Sequence, residues 1–436
     1  MIKKFAITIC ILLAGVNFSY SQYKKSYTLG DAINEAMRNN SELVNARYDK
    51  MKAMEKVSQT YNENLIPTLE LSSQYSHAYK KPVFNIFGQN FEIGTDNTVT
   101  HTLTASEPIP FLGTPVFSGI RIAEYYANLQ NENVASVESK IKKDVKKAYY
   151  NVLFLKEVVE LNRKSLQNSV DNLTVVEARY RNGVNTEFDF LRAKVKVEST
   201  KPTVSQSESN LEISKKLFKN TIGLKTSEDI DVKGFLTYDS TEITGSTDDI
   251  LKKIAENNVS VRQLNISQLI NAEIVTIDKA SYLPKFYLFA QYQLAANENN
   301  DKAIMDWRYY NIFNAGIGMS WDLNFFRTSY KKTQSELEVK KTSETIADVK
   351  QKLKISGQNI ISKMEDAKSR IKANLETVKL AERGYELANI SFKNGVINQI
   401  DVLDAELMVN QTKLAYIQAI YDYLQAKAEL EELLEK

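Results

Sequence analysis

One stretch occurs twice. Arg179-Tyr-Arg-Asn-Gly-Val-Asn-Thr-Glu-Phe-Asp-Phe-Leu-Arg-Ala193 returns about two hundred residues later as Ser391-Phe-Lys-Asn-Gly-Val-Ile-Asn-Gln-Ile-Asp-Val-Leu-Asp-Ala405, with Asn-Gly-Val, an Asp, a Leu and the last Ala in register. Asn-Gly ends a helix, because glycine enters the left-handed backbone of a C-cap without a Cβ penalty. A new helix starts at once. Thr186 with Asp189, and Asn398 with Asp401, have the spacing of an N-cap residue and an acid three positions on, an arrangement that satisfies free amides at the positive helix end. The duplication predicts two helical hairpins with tips near residues 183 and 395, and so a chain built of two like halves, 22–222 and 248–436, joined by a polar link over 223–247.

Long segments on either side support this. Ile141, Val145, Ala148, Val152, Leu155 and Val159 recur at alternating steps of four and three, as do Ile371, Asn374, Val378, Ala381, Tyr385, Ala388 and Phe392. That is a coiled-coil seam. From about Gly119 to Asn182 such a helix is roughly 90–95 Å long at 1.5 Å per residue. The return arms are 187–222 and 399 to the end, and Pro202 predicts a kink in the first.

Each half opens with a shorter helical pattern, from Thr28 to about Leu65 and from Asp248 to about Tyr282, broken at Asn39-Asn40 and Asn257-Asn258. Pro67 and Pro284 then stop the helices, and the period becomes two. Leu69, Leu71, Tyr75 and His77 alternate with Thr68, Glu70, Ser72, Gln74 and Ser76; Val99, His101, Leu103 and Ala105 alternate with threonines. The second half repeats this with Phe286, Leu288, Ala290, Tyr292 and Leu294, then Phe313, Ala315, Ile317, Met319 and Trp321. Strands are expected at about 67–79, 98–106, 284–295 and 311–323. Alternation over about ten residues suits a membrane barrel, apolar to lipid and polar to a wet interior. A soluble sheet with one buried face produces the same pattern in any single strand. Between the strands, Phe84, Phe87, Phe91, Trp307, Tyr309 and Tyr310 are either interfacial aromatics or loop anchors.

At the start, Lys3 and Lys4, an apolar run from Phe5 to Val16, and Ser19-Tyr20-Ser21 read as a cleaved export signal over residues 1–21. The run is short of the roughly 20 residues of a spanning helix. Cys10, the single cysteine, lies inside it, so no disulfide is expected in the mature chain. The 56 basic and 54 acidic residues nearly cancel, which leaves no global field to recruit nucleic acid.

The paired pattern of aromatic-x-x-Gly followed by Asp-x-Leu-x-Ala, each copy after two strand-like segments, resembles the outer-membrane efflux proteins of the TolC type. The similarity extends over nearly all of the chain after the leader. It implies a mainly α fold with a membrane β part: antiparallel coiled-coil hairpins, plus four strands contributed to a twelve-stranded barrel in a homotrimer. It also implies a duct from periplasm to exterior that works with a periplasmic adaptor protein and an inner-membrane transporter. By the same resemblance Asp401 and Asp404, with Asp189 at the matching place in the first half, would narrow the pore entrance as acidic rings. Their spacing equally suits capping. Gly183, Val184, Gly395 and Val396 would form the tips that meet the adaptor, or serve the turn alone. In the family a tyrosine before the glycine and an arginine after it tie the entrance shut; Phe392 and Ile397 stand here, and apolar packing is expected instead.

No nucleophile motif, phosphate-binding glycine loop or metal-ligand cluster stands out, so neither an enzyme nor a cofactor is expected. His77 and His101 fall on lipid-facing strand positions. The alternative reading is a periplasmic coiled-coil adaptor or spacer without a pore, although an adaptor would carry one hairpin rather than two equivalent ones.

Overall fold

The computed structural model describes residues 25–110, 113–225, 229–238, 246–299 and 303–435. The expected export signal and Cys10 lie outside them. The elements, in order, begin with β1 (Lys25–Tyr27), α1 (Leu29–Asn39) and α2 (Ser41–Leu65), followed by β2 (Thr68–His77), β3 (Val83–Ile86), β4 (Gln89–Glu92) and β5 (Asn97–Pro108). The helices α3 (Val116–Arg181) and α4 (Glu187–Thr221) lead to β6 (Ile230–Val232). Then come α5 (Thr247–Asn257), α6 (Val259–Ala280), β7 (Lys285–Glu298), a 3-10 turn (Ile304–Asp306), β8 (Tyr309–Ser320), α7 (Phe325–Lys393) and α8 (Gln399–Leu433). The 66 residues of α3 and 69 of α7 give helices of about 100 Å.

The chain divides into two compact units, each drawn from both halves of the sequence. One comprises residues up to 36, 144–238 and 370–421; the other comprises 37–143, 239–369 and 422–436.

In the second of these, Asn40 caps α2 by accepting the Glu42 amide at 2.9 Å, and Asn258 caps α6 by accepting that of Ser260 at 3.0 Å. Each asparagine thus ends one helix and starts the next. The four long strands form one antiparallel sheet in the order β2-β5-β7-β8. Its register sets Leu71 opposite Leu103, Leu103 opposite Tyr292, and Tyr292 opposite Phe313. One apolar row therefore crosses all four strands, and its ends at Leu71 and Phe313 are exposed. His101 shares this face, with Nδ1 2.9 Å from Ser73 Oγ. On the other face Thr104 stands opposite Glu70 and Gln291, and Gln291 opposite Asn314. Aromatic clusters mark both ends of the sheet. Trp307 lies beside Tyr75, with centroids 6.4 Å apart, and Trp321 lies 6.0 Å from the Phe325 ring. Trp321 itself falls just beyond β8.

Two features go beyond the sequence reading. Between β2 and β5, β3 and β4 pair as a further hairpin, Phe84 opposite Phe91. It extends the β2–β5 hairpin through Ala78 N–H donating to Asp96 (2.7 Å) and Ile93 N–H to Pro82 (3.0 Å).

In the first unit, the polar 223–247 segment contributes β6, which pairs in parallel with β1. Tyr27, Ile230 and Val232 are buried there with Phe218 and Ile222. Lys156 Nζ donates to Val232 O at 2.6 Å and pairs with Asp231 at 2.6 Å, while the Tyr149 hydroxyl donates to Lys233 O. Pro202 lies inside α4 without dividing it, since proline removes one ladder hydrogen bond of many. The seam residues Val145, Val152 and Val159 are buried.

Candidate functional site: the two helical tips

Both tips close with the same main-chain bonds. Gly183 N–H donates to Tyr180 O and Val184 N–H to Arg179 O, both at 2.9 Å. Gly395 N–H donates to Phe392 O at 3.0 Å and Val396 N–H to Ser391 O at 2.9 Å. These are two Schellman closures, each with its glycine in the left-handed region at φ 72° and 75°, where a Cβ is costly. Val184 and Val396 are left exposed at the turns.

The next helices start from side-chain caps. Thr186 and Asp189 form a reciprocal capping box, the Asp189 amide donating to Thr186 Oγ1 at 3.1 Å and the Thr186 amide to Asp189 Oδ2 at 3.2 Å. Asp401 Oδ2 accepts the Asn398 amide at 3.0 Å. Both acids therefore cap. Asp404, one turn further on, is exposed and borders a shallow groove of about 420 Å³ with Leu380, Gly384, Tyr385 and Met408.

Beneath the tips all four helices meet. Val176 of α3, Ala193 of α4, Phe392 of α7 and Val402 of α8 form a buried cluster, with Phe190, Tyr385 and Ile397 packed against it. Phe392 and Ile397, the two departures from the family pattern, thus lie in an apolar core. A polar link is present as well, carried by a residue that spacing did not single out. Arg179 Nη1 donates to Phe392 O at 2.8 Å, and its guanidinium lies 4.7 Å from the centroid of the Phe392 ring. One side chain of the first hairpin therefore gives a second donor to a carbonyl at the end of α7 and stacks on its last buried aromatic.

A second missed group lies further along α8. Val402, Glu406 and Val409 follow the 4-3 step of the buried stripe, and Glu406 is 2% exposed. Ser165 Oγ donates to its carboxylate at 3.3 Å, and Asn410 Nδ2 donates to Ser165 Oγ at 3.1 Å. Burial raises the Glu406 pKa above the usual carboxylate range, against the opposing effects of the Lys196 charge and hydrogen bonds from Ser165 and Asn168. The sequence signal was an acid on a heptad position. Among the described residues there is no metal-binding cluster and no helix long and apolar enough to cross a membrane.

The outer membrane efflux protein family model matches residues 32–223 and 250–435. The outer membrane protein TolC of Vibrio cholerae is 20% identical over 419 residues, covering 93% of this chain and 90% of that protein. TolC of Escherichia coli is 19% identical over 428 residues, covering 95% and 83%. Among solved structures, the Campylobacter jejuni CmeC outer-membrane channel superposes with a TM-score of 0.79 at 14% identity, over 93% of this chain and 85% of that one. The open state of the Neisseria gonorrhoeae MtrE outer-membrane channel gives a TM-score of 0.75 at 17% identity, over 93% and 88%. With both halves matched and an apolar sheet face suited to lipid, the chain belongs to the outer membrane efflux proteins.

Proposed function

We propose that this protein is the outer-membrane exit duct of a tripartite efflux or type I secretion system, a passive conduit from periplasm to exterior. One observation carries the reading: a four-stranded sheet with a lipid-suited face has two open edges, β2 and β8. In hydrocarbon each unpaired backbone group costs several kcal/mol, so the edges must be closed by other copies. Two copies make eight strands, whose interior side chains fill. Three make twelve and leave a lumen, and the family resemblance favours three. The threonine and glutamine face then lines the passage, and the coiled-coil hairpins prolong it into the periplasm.

Asp401 and Asp404, with Asp189, supply acidic rings near the periplasmic entrance, a role compatible with the caps that Asp189 and Asp401 form. Gly183, Val184, Gly395 and Val396 meet a periplasmic adaptor, and an inner-membrane transporter supplies the energy. The duct itself performs no chemistry.

The test is membrane fractionation of the mature protein, cross-linking of the detergent-solubilised oligomer, and reconstitution in planar bilayers. The expected outcome is a membrane-pelleted trimer with discrete conductance steps. A soluble, non-conducting monomer would instead indicate a spacer or adaptor.

A further inference from the structure

Two apolar protrusions lie at the same end of the sheet, and neither is covered within the chain. The first is the β3–β4 hairpin, where Phe84, Ile86, Phe91 and Ile93 are exposed and the Phe87 ring at the turn is 104% exposed. Its base is firm: Lys81 pairs with Asp96 at 2.8 Å, and the Asp96 amide donates to Asn299 Oδ1 at 2.8 Å. The second is the 3-10 turn before β8, where Ile304 is exposed and Met305 is 95% exposed. Aromatic and methionine side chains left bare in water at a rim mark a contact surface rather than a solvated loop.

Their positions in the sheet identify the partner. The hairpin continues from β2, one open edge, and the turn leads into β8, the other. Closing a barrel from several copies sets β2 of one beside β8 of the next, which brings the hairpin of one copy alongside the turn of its neighbour. The flanking charges agree: exposed Lys80 and Glu92 accompany the hairpin, and exposed Asp306 and Arg308 accompany the turn, so each side offers both signs to the other.

Resting on the multi-copy barrel, we propose that the β3–β4 hairpin of each protomer packs against the Ile304–Met305 turn of the adjacent copy, forming a clasp between protomers at the outer rim.

Cysteine pairing tests this, since the single native cysteine, Cys10, lies in the export segment expected to be removed. The Phe87→Cys, Met305→Cys double variant should convert on mild oxidation into a disulfide-linked trimer ladder in non-reducing gels, with loss of the monomer band. Neither single variant should give the ladder. Amine cross-linking of the same preparation reports the assembly independently. A trimer with no disulfide ladder overturns the clasp and leaves the duct standing, whereas no trimer overturns both. Two further results identify what replaces a lost clasp. Quenching of a fluorophore on Phe87→Cys by spin-labelled lipid, without cross-linking, makes the hairpin a lipid anchor. Full labelling by a water-soluble maleimide in intact cells, without cross-linking, makes it a free loop. Because both side chains point into solvent, neither substitution removes a core contact. A second measurement, the heating needed to dissociate the trimer, should fall for Phe84→Ser with Phe87→Ser and stay unchanged if the hairpin touches nothing.

Discussion

Glu406 shows how one side chain couples the helical bundle to pH. Its folded pKa lies above the ordinary value because burial penalises the carboxylate. The protonated form is therefore the one that stabilises the fold. That contribution is full below the ordinary glutamate range and is lost as pH rises through the folded value. Amide exchange across residues 402–410, corrected for intrinsic rate, should accelerate between acid and neutral pH. Glu406→Gln should remove this dependence and stabilise the segment at neutral pH by on the order of 1 kcal/mol. Unchanged pH dependence in that variant would assign the effect elsewhere. Glu273 behaves oppositely. Arg121 holds it in a two-bonded pair at 2.7 and 2.8 Å and lowers its pKa, so its contribution is present above the ordinary range and lost as pH falls through the lowered value. For the tip acids, Asp401→Ala with Asp404→Ala should raise single-channel conductance and weaken block by multivalent cations. Unaltered conductance and block would leave Asp401 as a cap alone.

At the scale of elements, the tips combine local closures with one link between hairpins. Gly395→Ala forces a side chain into the left-handed region and should cost about 1 kcal/mol, read as faster exchange at residues 391–396. Arg179→Ala should speed exchange there as well, by removing the inter-hairpin donor that the Phe392 carbonyl accepts beside the Gly395 amide, and Arg179→Lys should restore it poorly because an ammonium lacks the planar face that stacks on the ring. Much of this level was legible in the sequence. Alternation over ten residues exposed β2, β5, β7 and β8, the Asn-Gly pairs located the helix ends, and Asn40 and Asn258 located the breaks. The β3–β4 hairpin was not legible, because Val83-Phe84-Asn85-Ile86 has no two-residue period. Arg179 was missed because its partner is a main-chain carbonyl 213 positions away, for which no side-chain pattern exists. Glu406 was hidden among the many acids of helices whose charges mostly face solvent.

For the whole molecule, the outer-membrane class was legible in the alternating strand and long helix patterns, whereas the proposed closure by further copies rests on the two open edges of the sheet, which no sequence pattern marks. Substitution at an edge should therefore disturb assembly before folding. Leu71→Lys on β2 places a charge on the lipid face and should cost about 2–4 kcal/mol if it lies near the bilayer centre. Heat-stable oligomer should decline while the helical circular dichroism signal persists. Simultaneous loss of both signals would mean that the strands fold as part of a self-contained core.

The pairing of β1 with β6 also bears on the order in which the chain matures. Residues 25–27 find their neighbours only at 230–232, so β1 must wait for some two hundred residues to follow before it can dock. Until then it trails loose, available to chaperones or proteases. A chain truncated just after residue 225 should keep its first hairpin yet be clipped rapidly ahead of α1, and supplying the missing strand should restore protection.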